Sequence, residues 1–231
     1  MKTNVRKRVR VVIAMIAMCS LLAGSTLGVF AAGDGAWKTS KSRYSFLTSS
    51  QTKTFNKAVK GLTGVSYEPV AVVAKQTVAG TNYVYLCKGT TVTKKPVSAW
   101  YFMTIYKDLN KKVSIGSIKK MKVSKIKTNK DPRGETAAGG FQIVGVKKKM
   151  KALSPAVRKV FNKATKKYTG FELRPIALLG TQVVSGKNYR ILCYAKNHAT
   201  KDLFVVQIYK NASGKCKITS VKSLDLESYV G

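Results

Sequence analysis

Hydrophobic residues recur at helical spacing in two separate stretches of the chain, residues 55–62 and residues 157–168. In both stretches apolar side chains stand three and four positions apart, and lysines fill much of the other face. Residues at that spacing share one face of an α-helix, so each pattern predicts an amphipathic helix.

Both predicted helices carry start signals. Residues 48–51 have the Thr-x-x-Gln form of a capping box, and residues 154–155 are Ser-Pro, an N-cap followed by proline at the first helical position. Gly64 and Gly170 follow the periodic residues and are predicted to end the helices.

After each helix the pattern changes to the alternation of polar and apolar residues that is typical of β-strands. Four strands are predicted in each half: residues 68–80, 81–87, 99–107 and 113–118, then 174–186, 187–193, 203–210 and 216–221. One helix followed by about four meandering strands predicts an α+β unit, in which the helix packs on a four- to five-stranded antiparallel sheet.

One face of the strands is predicted to be the core. Val84 in the first half corresponds to Arg190 in the second, so the opposite face, which carries tyrosine and cysteine, is expected to point inward. The residues predicted on the inner face are Tyr83, Tyr85, Cys87, Tyr101, Met103 and Ile105, and in the second half Tyr189, Ile191, Cys193, Phe204, Val206 and Ile208.

The two halves are copies of one unit. A shift of 106 residues aligns residues 55–87 with residues 161–193, and 16 of the 33 positions are identical. This indicates a tandem duplication of a unit of about 100 residues rather than a solenoid of short repeats. The polar stretch "TNKDPRGETAAGG" contains the proline and glycine expected of a linker. The predicted organisation is a signal peptide at 1–31, a first domain at 32–127, a linker at 128–138 and a second domain at 139–231.

The N-terminus has the form of a secretory signal. A basic segment without acids, residues 1–10, precedes an apolar stretch, and small residues stand at the cleavage positions that end at Ala31. The alternative is an uncleaved anchor, because about 20 apolar residues can span a bilayer. Glycines and hydroxyl residues at 24–28 interrupt the run and favour cleavage. We therefore expect a secreted protein, and a signal of this kind on a lysine-rich chain suggests a bacterial source.

The charge is strongly one-sided. The chain has 43 Lys and Arg residues against nine Asp and Glu, a net charge of +34. Such a charge favours anionic partners and gives a secreted protein a means of staying at an anionic cell surface. The lysines are spread along the chain without clustered arginine or a nucleic-acid-binding motif, so a soluble lysine-rich surface is the simpler interpretation.

Little in the sequence indicates catalysis or metal binding. Cys87 and Cys193 occupy matching strand positions and are expected to be buried. A catalytic cysteine–histidine pair with the single histidine, His198, would need an exposed cysteine, so it is not expected. The histidine and cysteines lack metal-ligand spacing. A disulfide between Cys193 and Cys216 and free thiols are both compatible with the sequence. We expect no enzymatic activity, no metal, no cofactor and no small-molecule substrate.

One motif occurs once in each half. The sequence Gln-x-Val-x-Gly-x-Asn-Tyr occupies residues 76–83 and again residues 182–189. A hairpin turn explains the glycine, because glycine adopts positive φ without a steric penalty, but it does not by itself explain why glutamine and valine recur. A helix, four strands and this motif at the first hairpin resemble the cystatin family. The resemblance covers nearly the whole mature chain, as two tandem cystatin-like domains.

This resemblance implies reversible inhibition of papain-like cysteine proteases. In cystatins an N-terminal segment around a glycine, the Gln-x-Val-x-Gly hairpin and a second hairpin loop form a wedge that fills the active-site cleft without being cut. Carried over by position, the protease-binding residues are Gln76, Thr77, Val78, Ala79 and Gly80, Gln182, Val183, Val184, Ser185 and Gly186, the N-terminal glycines Gly33 or Gly35 and Gly139 or Gly140, and Leu109.

Two features depart from the family pattern. The second hairpin loops lack the Pro-Trp pair common in cystatins; Leu109 is a partial substitute, whereas Ala212 is a poor one. Cleavage after Ala31 would also leave a very short segment before Gly33. We therefore expect inhibition to depend mainly on the two Gln-x-Val-x-Gly loops.

The alternative function is a non-inhibitory binding module. A fold can be kept after its activity is lost, and the positive charge would hold such a module on anionic cell-surface polymer, glycan or nucleic acid. For either function we expect a monomer.

Overall fold

The computed structural model describes residues 38–39, 47–122, 142–143, 153–196 and 203–230. The backbone alone is described for the two-residue segments. The predicted signal peptide and linker lie outside these residues.

The first half contains one helix and an antiparallel sheet in the order β1-β2-β3-β4-β5. Its four long strands form a meander, and the two-residue β1 pairs with the edge of β2. The elements are β1 (Lys38–Thr39), α1 (Ser49–Val59), β2 (Val65–Val78), β3 (Gly80–Thr91), β4 (Ser98–Lys107) and β5 (Val113–Lys120).

The second half repeats this arrangement, with the strand order β10-β9-β8-β7-β6, and ends in a short helix. Its elements are β6 (Gln142–Ile143), α2 (Pro155–Thr165), β7 (Glu172–Val184), β8 (Gly186–Lys196), β9 (Leu203–Asn211), β10 (Cys216–Ser223) and α3 (Glu227–Val230). The predicted α+β class, with a helix and an antiparallel sheet in each half, is confirmed.

Local signals set the helix starts as predicted. The Thr48 hydroxyl accepts from the Gln51 N–H at 3.2 Å, and the Gln51 side chain accepts from the Thr48 N–H at 2.8 Å, which completes a capping box. Ser154 caps α2 through the N–H of Val157 at 3.4 Å. The helix ends differ from the prediction: the helices stop at Val59 and Thr165, before the two glycines. Gly64 instead has φ +84° in the turn that leads into β2.

Each helix covers one face of its own sheet. Phe55 of α1 is fully buried against Val72, Tyr85, Met103 and neighbouring residues. The Tyr85 hydroxyl donates to the backbone carbonyl of Gln51 at 3.0 Å and so ties the helix to the sheet. The predicted inner face is confirmed in both halves, since its members belong to the cores beneath the helices, with Tyr83 and Tyr101 partly buried at the edge.

The opposite faces of the two sheets are buried as well, which the alternation did not predict. Val84 and Leu86 have no exposed surface, and neither does Leu192 in the second half. These residues belong to one core that draws side chains from both sheets. The sheets therefore pack face to face, with the helices outside, in the layer order α1, first sheet, second sheet, α2.

Arg190 was expected to mark a solvent-facing side and does not. It is 2% exposed, and its Nε donates to Gln207 Oε1 at 3.3 Å. Burial lowers the pKa of Arg190 to about 10. The guanidinium thus stays charged at neutral pH on the buried face between the sheets.

One hydrogen bond joins the two halves inside this core. The indole Nε1 of Trp100, in β4, donates to the backbone carbonyl of Leu179 at 2.6 Å. Leu179 lies in a β-bulge of β7, where the pairing with β8 passes from Leu178 to Gly180. A bulged residue is left out of the regular ladder, so its carbonyl is available to the indole.

The C-terminal segment also reaches the first sheet. The ring of Tyr229, in α3, packs on Phe102 of β4 with ring centroids 4.9 Å apart. Leu224 and Leu226 pack against the same shared core. The last residues of the second half therefore cover part of the first half.

We expect Trp100→Phe to lower the free energy of unfolding by about 2–4 kcal/mol, because it leaves a buried carbonyl without its donor and removes buried volume. Urea denaturation of the full chain measures this change. Val97→Ala, at an exposed loop position, is the control and should stay within about 0.5 kcal/mol of the parent. A Trp100→Phe protein as stable as that control would contradict the role given to the bond.

Candidate functional site

Both Gln-x-Val-x-Gly segments are tips of long β-hairpins. In the first half Val78 ends β2 and pairs with Gly80, which begins β3, so that Ala79 forms the tip. In the second half Val184 pairs with Gly186 and Ser185 forms the tip. The structure therefore places all ten predicted loop residues at the ends of hairpins.

The glutamine and the asparagine of the motif form a side-chain pair across the hairpin. Gln76 is the cross-strand neighbour of Asn82, whose Nδ2 donates to Gln76 Oε1 at 2.7 Å. Gln182 and Asn188 make the same bond at 2.9 Å. The hairpin itself thus accounts for the fixed six-residue spacing between these two amides.

The glycines allow a close approach by the neighbouring strand. A Cβ on Gly80 would lie 2.5 Å from the carbonyl oxygen of Lys107 and close to the Tyr106 ring, and Gly80 has φ +133°. A Cβ on Gly186 would meet the carbonyl of Lys210 and the ring of Tyr209 in the same way. Any larger residue has to displace backbone at these two positions.

A tyrosine fixes each tip. The Tyr106 hydroxyl donates to the carbonyl of Ala79, and the Tyr209 hydroxyl donates to the carbonyl of Ser185 at 3.3 Å. These tyrosines were not among the predicted site residues. The signal was present in the sequence, because Ile-Tyr-Lys occurs at the end of the third long strand in both halves.

The residues that remain free for a partner are small or apolar. Val78 is 42% exposed and Val183 is 62% exposed. Thr77, Ala79 and Ser185 are also exposed. Each tip therefore presents a short surface of small and apolar side chains, while its backbone carbonyl is held by the tyrosine.

A second loop lies beside each tip. Lys107, at the end of β4, pairs with Thr81 on one side and with Val113 on the other, so loop 108–112 is at the same end of the sheet as the tip. Leu109 in this loop is 79% exposed. In the second half Ala212 is exposed in the corresponding loop.

Both second loops have an ordered backbone. The Asp108 side chain accepts from the Lys112 N–H at 2.7 Å, and Lys111 adopts φ +63°. In the second half Asn211 accepts from Lys215 at 2.8 Å, and Gly214 adopts φ +78°. A turn followed by a left-handed residue is a common hairpin connection.

The short strands β1 and β6 enter the sheets beside the tips. Lys38 pairs with Lys75, next to Gln76, and Gln142 pairs with Thr181, next to Gln182. The predicted N-terminal glycines Gly33, Gly35, Gly139 and Gly140 lie outside the described residues.

The three cysteines among the described residues are free thiols, so the Cys193–Cys216 disulfide is absent from the structure. Cys87 and Cys193 are buried, and burial raises the pKa of both thiols. Within the described residues no group of three or more His, Cys, Asp or Glu side chains is placed to hold a metal ion. None of the helices among those residues is long and apolar enough to cross a membrane.

No protein-family model matches the chain, and comparison with curated proteins gives no match either.

We expect Gly80→Ala and Gly186→Ala each to lower the free energy of unfolding by about 1–3 kcal/mol, because a Cβ clashes with backbone at both positions. Gly61→Ala is the matched control, since a Cβ there meets nothing within 4 Å. Urea denaturation compares the three variants. Equal stability of all three would show that the tips tolerate a side chain.

Thiol reactivity tests the cysteine assignments. Because Cys87 and Cys193 are buried with raised pKa values, both are protonated at neutral pH and should resist a thiol reagent in the native protein. The partly exposed Cys216 should react first. In denaturant Cys87, Cys193 and Cys216 should all titrate with Ellman's reagent. Loss of two of these three thiols from the count would instead reveal a disulfide.

Proposed function

We propose that this chain inhibits papain-like cysteine proteases by inserting its hairpin tips into the active-site cleft. The observation that carries the proposal is the exposed apolar pair Val78 and Leu109, on neighbouring loops at one end of a rigid sheet. Val183 gives the second tip a comparable apolar side chain. In this proposal each half is a cystatin-like domain, within residues 32–127 and 139–231, of a secreted protein.

The rigidity of the tips supports blockade rather than cleavage. The amide pair across each hairpin and the tyrosine hydroxyl at each tip hold the backbone before any partner arrives. A preformed loop loses little conformational entropy on docking, which raises affinity. The same restraints oppose the rearrangement that a substrate peptide undergoes during hydrolysis.

The charge beside the tips favours a particular kind of protease. Lys75, Lys111 and Lys112 are exposed near the first tip, and Lys215 is exposed near the second. Complementary charge speeds association and selects among partners. The preferred target therefore has a cleft with an acidic rim, and its inhibition is expected to weaken as the salt concentration rises.

Exposed tip positions provide the test. The triple variant Val78→Asp, Leu109→Asp and Val183→Asp should inhibit papain at least ten-fold less well than the parent, because three carboxylates would enter an apolar contact. The measurement is titration of papain with the mature protein. Single variants then show how inhibition divides between the two halves. Bulky residues at Gly80 or Gly186 are less informative, because they displace the tip itself.

The matched control is Leu62→Asp, Val92→Asp and Val97→Asp. These residues are also exposed and apolar, at 39%, 70% and 64%, and Val92 and Val97 lie in the β3–β4 loop at the other end of the sheet. The control changes charge and apolar surface by the same amount and should leave inhibition unchanged. A parent that does not inhibit papain, or a control that loses as much activity as the tip variant, would contradict the proposal.

A further inference from the structure

The two long helices carry the same stripe of lysines on their outer faces. Each stripe has lysines at positions i, i+4 and i+7, and each is related to the other by the 106-residue shift. All six side chains are exposed. The first stripe is Lys53, Lys57 and Lys60, and the second stripe is Lys159, Lys163 and Lys166.

This arrangement is unfavourable for the helices themselves. Like charges three and four residues apart destabilise a helix by a few tenths of a kcal/mol per pair. Neither helix contains an acidic residue. Among the described residues, the six lysines form no ion pair with a carboxylate. Arg174 and Glu172, outside the two stripes, do form an ion pair. An external anion would relieve the repulsion in both stripes.

Each stripe borders an open groove with further polar groups. The groove beside the first stripe, about 420 Å³, is lined by two of its lysines, Lys53 and Lys57, and also by Ser49, Ser50, Lys107 and Lys111. The Nζ of Lys57 donates to the Lys111 carbonyl at 3.1 Å, which holds the second loop against the helix. The groove beside the second stripe, about 560 Å³, is lined by all three of its lysines and by Arg158.

The lining residues point to an anionic chain without bases. Neither groove is lined by an aromatic residue, so neither offers a platform for stacked bases. The exposed residues within the two helices are lysine, serine and asparagine with one proline and one alanine, so no large apolar side chain is available to enter a bilayer.

Lysine is a mobile point charge that binds phosphate without fixed geometry. Three lysines extend along about 10 Å of helix, which suits successive charges on a linear chain.

The layer order places the two stripes on opposite sides of the protein. Along the strands, side chains that face a helix alternate with side chains that pack between the two sheets. The two helices are therefore the outer layers. We propose that each stripe binds a linear polyphosphate chain, and that one protein molecule bridges two such chains. Two sites on one rigid body raise the overall avidity and also cross-link the polymer.

The test uses the mature full chain and long-chain inorganic polyphosphate. The logarithm of the association constant for the polymer falls with the logarithm of the salt concentration. Changing the lysines of one stripe to glutamine should make this slope shallower by about 2, because three phosphate contacts are lost. Either single-stripe variant should still bind the polymer but should lose the turbidity that cross-linking produces. The variant that lacks both stripes should lose at least ten-fold in affinity.

Controls separate the stripes from overall charge. Lys94→Gln, Lys95→Gln and Lys120→Gln remove the same charge at exposed positions outside the helices and should keep both turbidity and most of the affinity. Equal effects of this control and the stripe variants would overturn the proposal, and so would turbidity that persists in single-stripe variants. Tighter binding of single-stranded DNA or of anionic phospholipid vesicles than of polyphosphate would overturn the assignment of a base-free polymer.

The second-stripe variant also keeps this inference separate from protease inhibition. Its lysines lie on α2 and at the residue that follows it, and the groove beside them is lined by no residue of either hairpin tip. Papain inhibition should therefore not change while polymer cross-linking is lost. The Val78→Asp, Leu109→Asp and Val183→Asp variant should show the reverse. Loss of both properties in either variant would indicate one shared surface and would contradict two separate sites.

Discussion

The packing of the two sheets against each other is the constraint on which the rest of the structure depends. Each sheet is covered by its helix on one face and by the other sheet on the second face, so both alternating sets of strand residues are buried. Val84 and Leu86 are as fully buried as Tyr85 and Cys87. Among the described residues, the buried sheet faces are thereby closed to other molecules, whereas the hairpin tips, the loops and the outer faces of the helices expose side chains. The two surfaces proposed to be functional belong to these regions.

The duplication has produced halves that are complementary rather than interchangeable. Trp100 of the first half supplies the indole donor, and the bulged residue Leu179 of the second half supplies the carbonyl. The residue that corresponds to Trp100 in the second half is Leu203, which has no donor and contributes only apolar surface to the same core. Removal of either half would expose a large apolar face of the other, so we expect the full chain to be the stable unit.

Local patterns predicted the elements, whereas contacts between distant residues were not predictable. Helix caps, helical spacing and strand alternation act within a few residues, and the helix starts and strand order followed from them. The substitution of Val84 by Arg190 suggested a solvent-facing side, but Gln207 and the partner sheet accommodate the guanidinium inside. For Tyr106 the repeated Ile-Tyr-Lys marks the residue, but the repeat does not show that its hydroxyl reaches the distant Ala79.

The motif that suggested inhibition is largely used by the hairpin itself. Glutamine pairs with asparagine and glycine admits the next strand, so these residues would be required even in a hairpin without a partner. Any inhibitory capacity must therefore lie in the residues that the hairpin does not use. These differ between the halves: the first tip exposes Val78 beside Leu109, and the second exposes Val183 beside the small Ala212. Since successive strand residues point to opposite faces, Val183 projects from the opposite face of its hairpin relative to Val78. Under the proposed inhibition, the two tips would therefore suit clefts of different shape.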